Sequence, residues 1–246
     1  MGLFGREASP VPSAPGLKGV AFDLDGTLYP NYRLYLRLLP AILRHPWFIR
    51  AFALARRRLH RDPSVYSAGF SSFYEDQAAL VGRFLGSDKG VRERVERLIY
   101  RNWAAPFSRI GLFPGVGETL AAFRGGGIKL GLLSDFPPRR KLALLGLEGA
   151  FDAVLSTEET GRLKPSPHPF RELARLMALE PGEILYVGNH PRWDAEGALA
   201  AGMRAALIKR GSLSTGRHSG RGGAEFVFRE YRQLREYVLG RGLGYT

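Results

Sequence analysis

No cysteine occurs anywhere in the chain, which rules out disulfides, zinc–thiolate centres and cysteine nucleophiles. That absence fits a reducing, cytoplasmic setting. Long apolar runs are missing too: nothing approaches the roughly 18 residues that a membrane span needs. The opening stretch, MGLFGREASPVPSAPG, has no apolar segment behind a basic end, so no secretory signal is expected. Arg6 stands where a myristoylation motif wants Ser or Thr, and residues 1–16 read as a flexible Pro/Ser/Ala-rich tail. Acid is scarce, with 23 Asp and Glu against 36 Lys and Arg and a formal net charge of +13. Between Asn31 and Asp62 the basic residues Arg33, Arg37, Arg44, Arg50, Arg56, Arg57, Arg58 and Arg61 face only Asp62. A second basic stretch, KRGSLSTGRHSGRGG from Lys209 to Gly223, is rich in Gly and Ser and reads as a loop. Fields of this kind favour anionic partners: phosphorylated small molecules, nucleic acid or an anionic membrane surface.

What the chain does contain is an ordinary globular composition, 45% hydrophobic and 24% charged over 246 residues, long enough for a domain with a sizeable insertion. Short β-type runs recur at LKGVAFDLD, IKLGLLS, FDAVLS, EILYVG, RAALIK and AEFVF. From the second run onward they alternate with helical patterns at PRRKLALLGL, PHPFRELARLMAL, RWDAEGALAAG and REYRQLREYVLG. Such alternation predicts an α/β fold with a doubly wound parallel sheet, Rossmann-like in layout. Between the first and second runs, Asn31 to about Trp103 has helical spacing, with breaks expected at Pro40, Pro46, Pro63 and GSDKG that give four helices. This block reads as an insertion after the first strand.

In open α/β sheets the ligand site lies beyond the carboxyl ends of the strands, so the polar residues there are the candidates. Asp23 and Asp25 follow the first run, two apart and hence on one side, with Gly26 free to turn tightly. Ser134 and Asp135 follow the second run, Lys164 precedes a helix in KPSPHPF, and Asn189 and Asp194 follow EILYVG. Two carboxylates at one strand end are costly unless positive charge balances them. Phosphoryl transfer through an aspartyl phosphate uses this set: one carboxylate attacks phosphorus and the other moves the proton. A hydroxyl and an ammonium hold the non-bridging oxygens, and Mg²⁺ relieves the repulsion.

DLDGT, LLSD, KPSP and VGNHPRWDAEGALAAGM, in that order, resemble the four signature motifs of the haloacid dehalogenase superfamily of phosphohydrolases. The resemblance covers residues 18–30 and roughly 108–240. It implies a core domain of residues 17–30 and 108–246 and a helical cap of the C1 type over residues 31–107. It also implies Asp23 as nucleophile and metal ligand, and Asp25 as general acid/base with its carbonyl on the metal. Thr27 would support the turn and the substrate, Ser134 and Asp135 would lie at the phosphate, and Lys164 would neutralise both phosphate and Asp23. The fourth motif departs from the pattern, with Asn189 where the family has Asp. A carboxamide still offers an oxygen to Mg²⁺ but no charge, so Asp194 is expected to carry more of the metal binding.

The function so implied is Mg²⁺-dependent hydrolysis of a small phosphorylated metabolite. Within the same superfamily a haloacid dehalogenase or a phosphomutase stands beside it, and Asn189 points toward the former. Outside it stands a basic binding protein on this scaffold, for nucleic acid or a phosphorylated ligand, although no nucleic-acid-binding motif is recognisable. His190 reads as a loop histidine at the site entrance, His168 as structural and Trp193 as a packing residue. The arginine-rich helix is open to three readings: a solvated face, a grip on a second anionic group of the substrate, or an interfacial helix against anionic lipid.

Overall fold

The computed structural model describes residues 16–62, 70–101, 107, 110–209 and 222–240. The expected N-terminal tail, apart from Gly16, the break at Pro63 and most of the basic loop after Lys209 lie outside these residues. Six strands form one parallel sheet: β1 (Gly19–Phe22), β2 (Lys129–Ser134), β3 (Ala153–Ser156), β4 (Ile184–Gly188), β5 (Arg204–Ile208) and β6 (Phe226–Phe228). All six expected strands are present, in the order β3-β2-β1-β4-β5-β6. The order reverses between β1 and β4, and that switch point is where a crevice opens at the carboxyl edge.

Helices cover both faces because the strands are apolar on both. Val20 and Phe22 of β1, with Leu130 and Leu132 of β2 and Leu185 and Val187 of β4, pack on one side. There they meet Val116, Leu120 and Phe123 of α5 (Val116–Gly125), Leu142 of α6 (Arg139–Leu144), and Tyr231 and Leu234 of α9 (Tyr231–Leu239). Ala21, Leu133, Tyr186 and Leu207 point the other way, onto Phe170, Leu173 and Met177 of α7 (Pro167–Met177) and Ala198 of α8 (Gly197–Ala200). This alternation along each strand is the two-residue period of the pleat, here buried on both sides.

The insertion consists of α1 (Asn31–Arg44), α2 (Pro46–Arg61), α3 (Phe70–Leu85) and α4 (Val91–Val95), the last running on into a π-helical turn, Glu96–Arg101. Its own core is Phe48, Ala51, Phe52 and Ala55 of α2 against Val81 of α3 and Val91, Val95 and Ile99, at the i, i+3, i+4, i+7 spacing of an amphipathic helix. Four helices were expected and four occur among the described residues, but the break expected at Pro40 is absent: Pro40 lies inside α1. The hydrogen bond that proline forfeits would have gone to the Leu36 carbonyl. Leu36 and Pro40 are both exposed, so water takes that acceptor and the helix continues. Pro46, by contrast, opens α2, where its missing N–H costs nothing. Among the described residues no helix is long and apolar enough to cross a membrane.

Candidate active site

β1 is flanked by β2 and β4, with Phe22 in register with Leu132 on one side and Val187 on the other. The Asp23 N–H donates to the Val187 carbonyl at 2.9 Å, which carries the ladder one residue further and fixes where the first carboxylate emerges. Asp23 is 6% exposed. Its Oδ1 accepts from Lys164 Nζ at 2.7 Å and its Oδ2 from Thr27 Oγ1 at 2.8 Å. Thr27 is held in turn by the Tyr231 hydroxyl, which donates to the Thr27 carbonyl at 2.6 Å. Gly26 makes the turn between them at φ +89, and a Cβ there would run into the Asn189 side chain, so both backbone and space demand glycine.

Lys164 is the hub. Only 2% exposed, its ammonium reaches Asp23 Oδ1, Asp194 Oδ1 at 2.9 Å, the Tyr186 hydroxyl at 3.1 Å and the Leu133 carbonyl at 3.4 Å. Burial alone would lower its pKa, but the Asp194 and Asp23 carboxylates outweigh burial and hold it well above the usual lysine value. Asp23 moves the other way. Burial raises its pKa, Lys164 opposes the rise, Asp194 and Asp25 add to it, and the result is about 7.

Asp25 has a cation of its own. Lys141 Nζ, from the first turn of α6, donates to both of its oxygens at 2.6 and 2.8 Å, and the Tyr29 hydroxyl donates to Oδ1. The Asp25 carbonyl meets the Asn189 carboxamide at 3.1 Å. Asp194, expected from sequence to carry much of the metal binding, accepts hydrogen bonds on both oxygens. Its Oδ1 is committed to Lys164 and its Oδ2 to the N–H groups of Asn189 and His190, at 3.0 and 2.9 Å. Gly188 lies so close that a Cβ there would collide with the Asp194 carboxyl, which ties the end of β4 to the placement of Lys164.

Ser134 is fully buried, its Oγ accepting from the Phe136 N–H at 3.3 Å. Asp135, expected at the phosphate, is within electrostatic reach of Lys164 but makes its hydrogen bonds toward the helical insertion and the turn after β3. Its Oδ1 accepts from Thr157 Oγ1 at 2.9 Å, its Oδ2 faces His60 Nε2 at 3.6 Å, and its carbonyl accepts from Arg56 Nη2 at 3.0 Å. His190 accepts from the Trp193 N–H and stacks on that indole at 4.1 Å, while His60 stacks at 4.5 Å. Trp193 therefore packs between two imidazoles. His168, expected to be structural, is exposed at the start of α7. Asp23, Asp25, Thr27, Lys164, Asn189 and Asp194 thus form one connected cluster, with Ser134 on the neighbouring strand.

Sequence reasoning missed Lys141 and Tyr29, the partners of Asp25. It also missed the junction between the helical insertion and the sheet. Arg56 of α2 pairs with the fully buried Glu158 at 2.5 Å, and the Tyr100 and Tyr74 hydroxyls also donate to Glu158, at 3.0 and 3.2 Å. His60 Nδ1 lies 2.5 Å from the Lys164 carbonyl. Beside this junction lies a cavity of about 700 Å³, lined by Ile99, Tyr100, Phe107, Phe136, Arg139 and Lys141 among others. It reaches the catalytic edge through Lys141.

Among the described residues no group of three or more His, Cys, Asp or Glu side chains is placed to hold a metal ion. A cation here would rest on mixed oxygens: the Asp23 carboxylate, the Asp25 carbonyl and the Asn189 carboxamide oxygen, which would have to turn toward the ion because Asn189 Nδ2 now donates to the Asp25 carbonyl at 3.1 Å. Hard oxygen donors with water completing the shell suit Mg²⁺, so the set fits that ion with one formal charge.

Comparison with known proteins agrees with this arrangement. A family profile described as haloacid dehalogenase-like hydrolase matches residues 17–202. The glyceraldehyde 3-phosphate phosphatase of Methanopyrus kandleri is 31% identical, over 79% of this chain and 85% of its own. Two solved structures share the fold. The HAD phosphatase from Thermococcus onnurineus has TM-score 0.61 at 24% identity, covering 89% of this chain and 97% of that one. The L-2-haloacid dehalogenase from Xanthobacter autotrophicus has TM-score 0.62 at 18% identity, covering 93% and 100%. With the profile spanning residues 17–202 and a relative 31% identical over most of both chains, the chain belongs to the haloacid dehalogenase-like hydrolases.

Proposed function

We propose that this protein is a phosphohydrolase that splits a small phosphomonoester through a phosphoaspartate on Asp23. The observation that carries the reading is the pair of carboxylates at the end of β1 with separate cations, Lys164 on Asp23 and Lys141 on Asp25. Asp25 enters the cycle protonated; Asp23 Oδ attacks phosphorus, and the bond from phosphorus to the ester oxygen breaks as Asp25 gives that oxygen its proton. Asp25 then takes a proton from water, whose oxygen attacks phosphorus. The phosphorus–Oδ bond breaks, inorganic phosphate leaves and Asp23 is restored. Lys164 and Ser134 hold the non-bridging oxygens as charge builds on them. Asp23, the Asp25 carbonyl and Asn189 would hold Mg²⁺, which when bound supplies positive charge against the phosphoryl oxygens. Asp194 positions Lys164 instead of holding the ion.

In this reading residues 17–30 and 108–246 are the catalytic core and residues 31–107 a cap. The cap sits on the core through Arg56 and His60, and the cavity between them takes the leaving group. The phosphatase named among the relatives supports a phosphorylated substrate. One observation favours a second reading, 2-haloacid dehalogenation: the carboxamide of Asn189 lowers the negative charge at the metal position. Asp25, with its own lysine and tyrosine, favours the phosphatase, because an acid/base is what ester cleavage needs. The test is hydrolysis of an aryl phosphate with and without Mg²⁺, by the natural protein and by Asp23→Asn. Phosphate release that Asp23→Asn abolishes supports the proposal. Chloride release from a 2-haloacid, with no phosphate release, overturns it.

A further inference from the structure

Among the described residues α1 rests on the rest of the protein along one line, and none of them covers its opposite side. Of its fourteen residues only Leu34 is buried, with Leu38 partly buried against the main core. Tyr32, Leu36, Leu39 and Leu43, followed by Trp47 at the start of α2, are between 46% and 72% exposed. At the α-helical turn angle these four residues of α1 fall within an arc of about 60°, centred nearly opposite Leu34, whereas Tyr35 lies to one side, partly desolvated and within electrostatic reach of Asp25. Along one flank of this stripe run Arg33, Arg37 and Arg44, and Arg50, Arg57, Arg58 and Arg61 follow on α2, all exposed. No acidic residue occurs from Asn31 to Arg61, and Asp62, which follows, pairs with Arg58 at 2.6 Å. Single exposed leucines need no explanation, but a continuous stripe of this kind does.

We infer that α1 and Trp47 form a docking face for an anionic lipid surface. Charge decides between occupants. A second copy on a two-fold axis would bring this face against its equal, arginine toward arginine, with the nearest acid, Asp62, already taken by Arg58. A nucleic acid would meet the arginines but leave the leucines in water. A bilayer with anionic headgroups satisfies both: the leucines enter the acyl boundary, the aromatic rings sit at headgroup level and the arginines meet the phosphates. At 14 residues, or about 20 Å, α1 lies in the interface and does not span it.

The test is co-sedimentation of the full chain with vesicles of phosphatidylcholine alone and of phosphatidylcholine mixed with phosphatidylglycerol, at low and high salt. Binding to the mixed vesicles only, weakened by salt, is expected. Leu36→Glu with Leu43→Glu abolishes it, and Arg44→Gln with Arg50→Gln weakens it about twenty-five-fold, at about fivefold per arginine. All these side chains are exposed, so thermal unfolding of the variants should match the natural protein. On binding, emission should shift to the blue in the natural protein and not in Trp47→Phe. Failure to bind the mixed vesicles overturns the inference. So does binding that survives the leucine substitutions, or a dimer in solution that those substitutions dissociate.

Discussion

The junction between the helical insertion and the sheet turns on one buried ion pair, and Arg56→Met tests it. Arg56 Nη1 lies 2.5 Å from Glu158 Oε1, with side-chain exposures of 8% and 0%. The same guanidinium reaches Gln77 at 3.1 Å and the Asp135 carbonyl at 3.0 Å, and covers the Phe136 ring at 4.3 Å. Methionine keeps much of the volume and the contact with Phe136 but removes the charge, leaving Glu158 buried with two phenol donors. At an effective dielectric of about 20, unit charges about 4 Å apart attract by about 4 kcal/mol. Losing one partner of a buried pair costs about 3–5 kcal/mol because the other charge is stranded. The loss should depend on pH. Burial raises the Glu158 pKa to about 6 even beside Arg56, and without that cation it rises further. A carboxyl raised in the folded state favours folding when protonated, so stability is lost as pH climbs through the folded pKa. The deficit of Arg56→Met against the natural protein should therefore be small near about pH 5 and full near about pH 8. Urea unfolding followed by tryptophan fluorescence and circular dichroism at both pH values measures it. Arg56→Met with Glu158→Gln should recover most of the loss, giving a coupling of about 2 kcal/mol or more. A deficit independent of pH, with a double variant no better than the single, would refute the electrostatic account and leave only packing.

Lys164→Met should lower phosphate-ester hydrolysis by at least about a hundredfold, and Lys164→Arg should not restore it because the planar fork cannot replace a point charge between two carboxylates; initial rates on an aryl phosphate check both. Lys141→Met removes the cation from Asp25 and should lower kcat by about ten- to a hundredfold, so an unchanged kcat would make Lys141 merely structural. Asn189→Asp should tighten Mg²⁺ binding, seen as a larger rise of the unfolding midpoint per unit of added Mg²⁺, and should lower the midpoint in chelator because a carboxylate would then face the Asp25 carbonyl unpaired.

The sheet was legible because every strand is buried on both faces, so each reads as a short apolar run. The candidate site was legible wherever a residue follows a strand, since topology carries Asp23, Ser134 and Asn189 to one edge. Lys164 precedes α7, whose start is marked by Ser166 and Pro167. What stayed hidden depends on docking between elements far apart in sequence. Lys141 and Asp25 are 116 residues apart, and Arg56 and Glu158 are 102 apart. Neither pair leaves a trace in periodicity. Lys141 looks like any lysine in a first helical turn, and Arg56 like one more member of a solvated RRR run, although its neighbours Arg57 and Arg58 are indeed exposed. The contacts of Asp194 were hidden for a related reason. Its place after β4 was legible, but that both its oxygens are spent on Lys164 and two backbone amides is a matter of tertiary geometry.

Charge balance explains why Asn189 is tolerable at the fourth position. When all three carboxyls are ionised, Asp23, Asp25 and Asp194 against Lys164 and Lys141 leave one surplus negative charge, in a site where Asp23 and Asp194 are almost fully buried and where burial already pushes the Asp23 pKa up to about 7. A phosphate ester arriving there is repelled unless positive charge accompanies it. An aspartate at 189 would double the surplus, strengthening the hold on a cation while making the unloaded site more hostile to the substrate. Asparagine takes the opposite course: it keeps an oxygen for the ion, lets its amide satisfy the Asp25 carbonyl when no ion is bound, and leaves less repulsion to overcome. The strong positive charge of the chain acts in the same direction, drawing anions toward the cleft. On this argument the natural protein should retain more activity than Asn189→Asp at limiting Mg²⁺, and the order should reverse when Mg²⁺ is saturating.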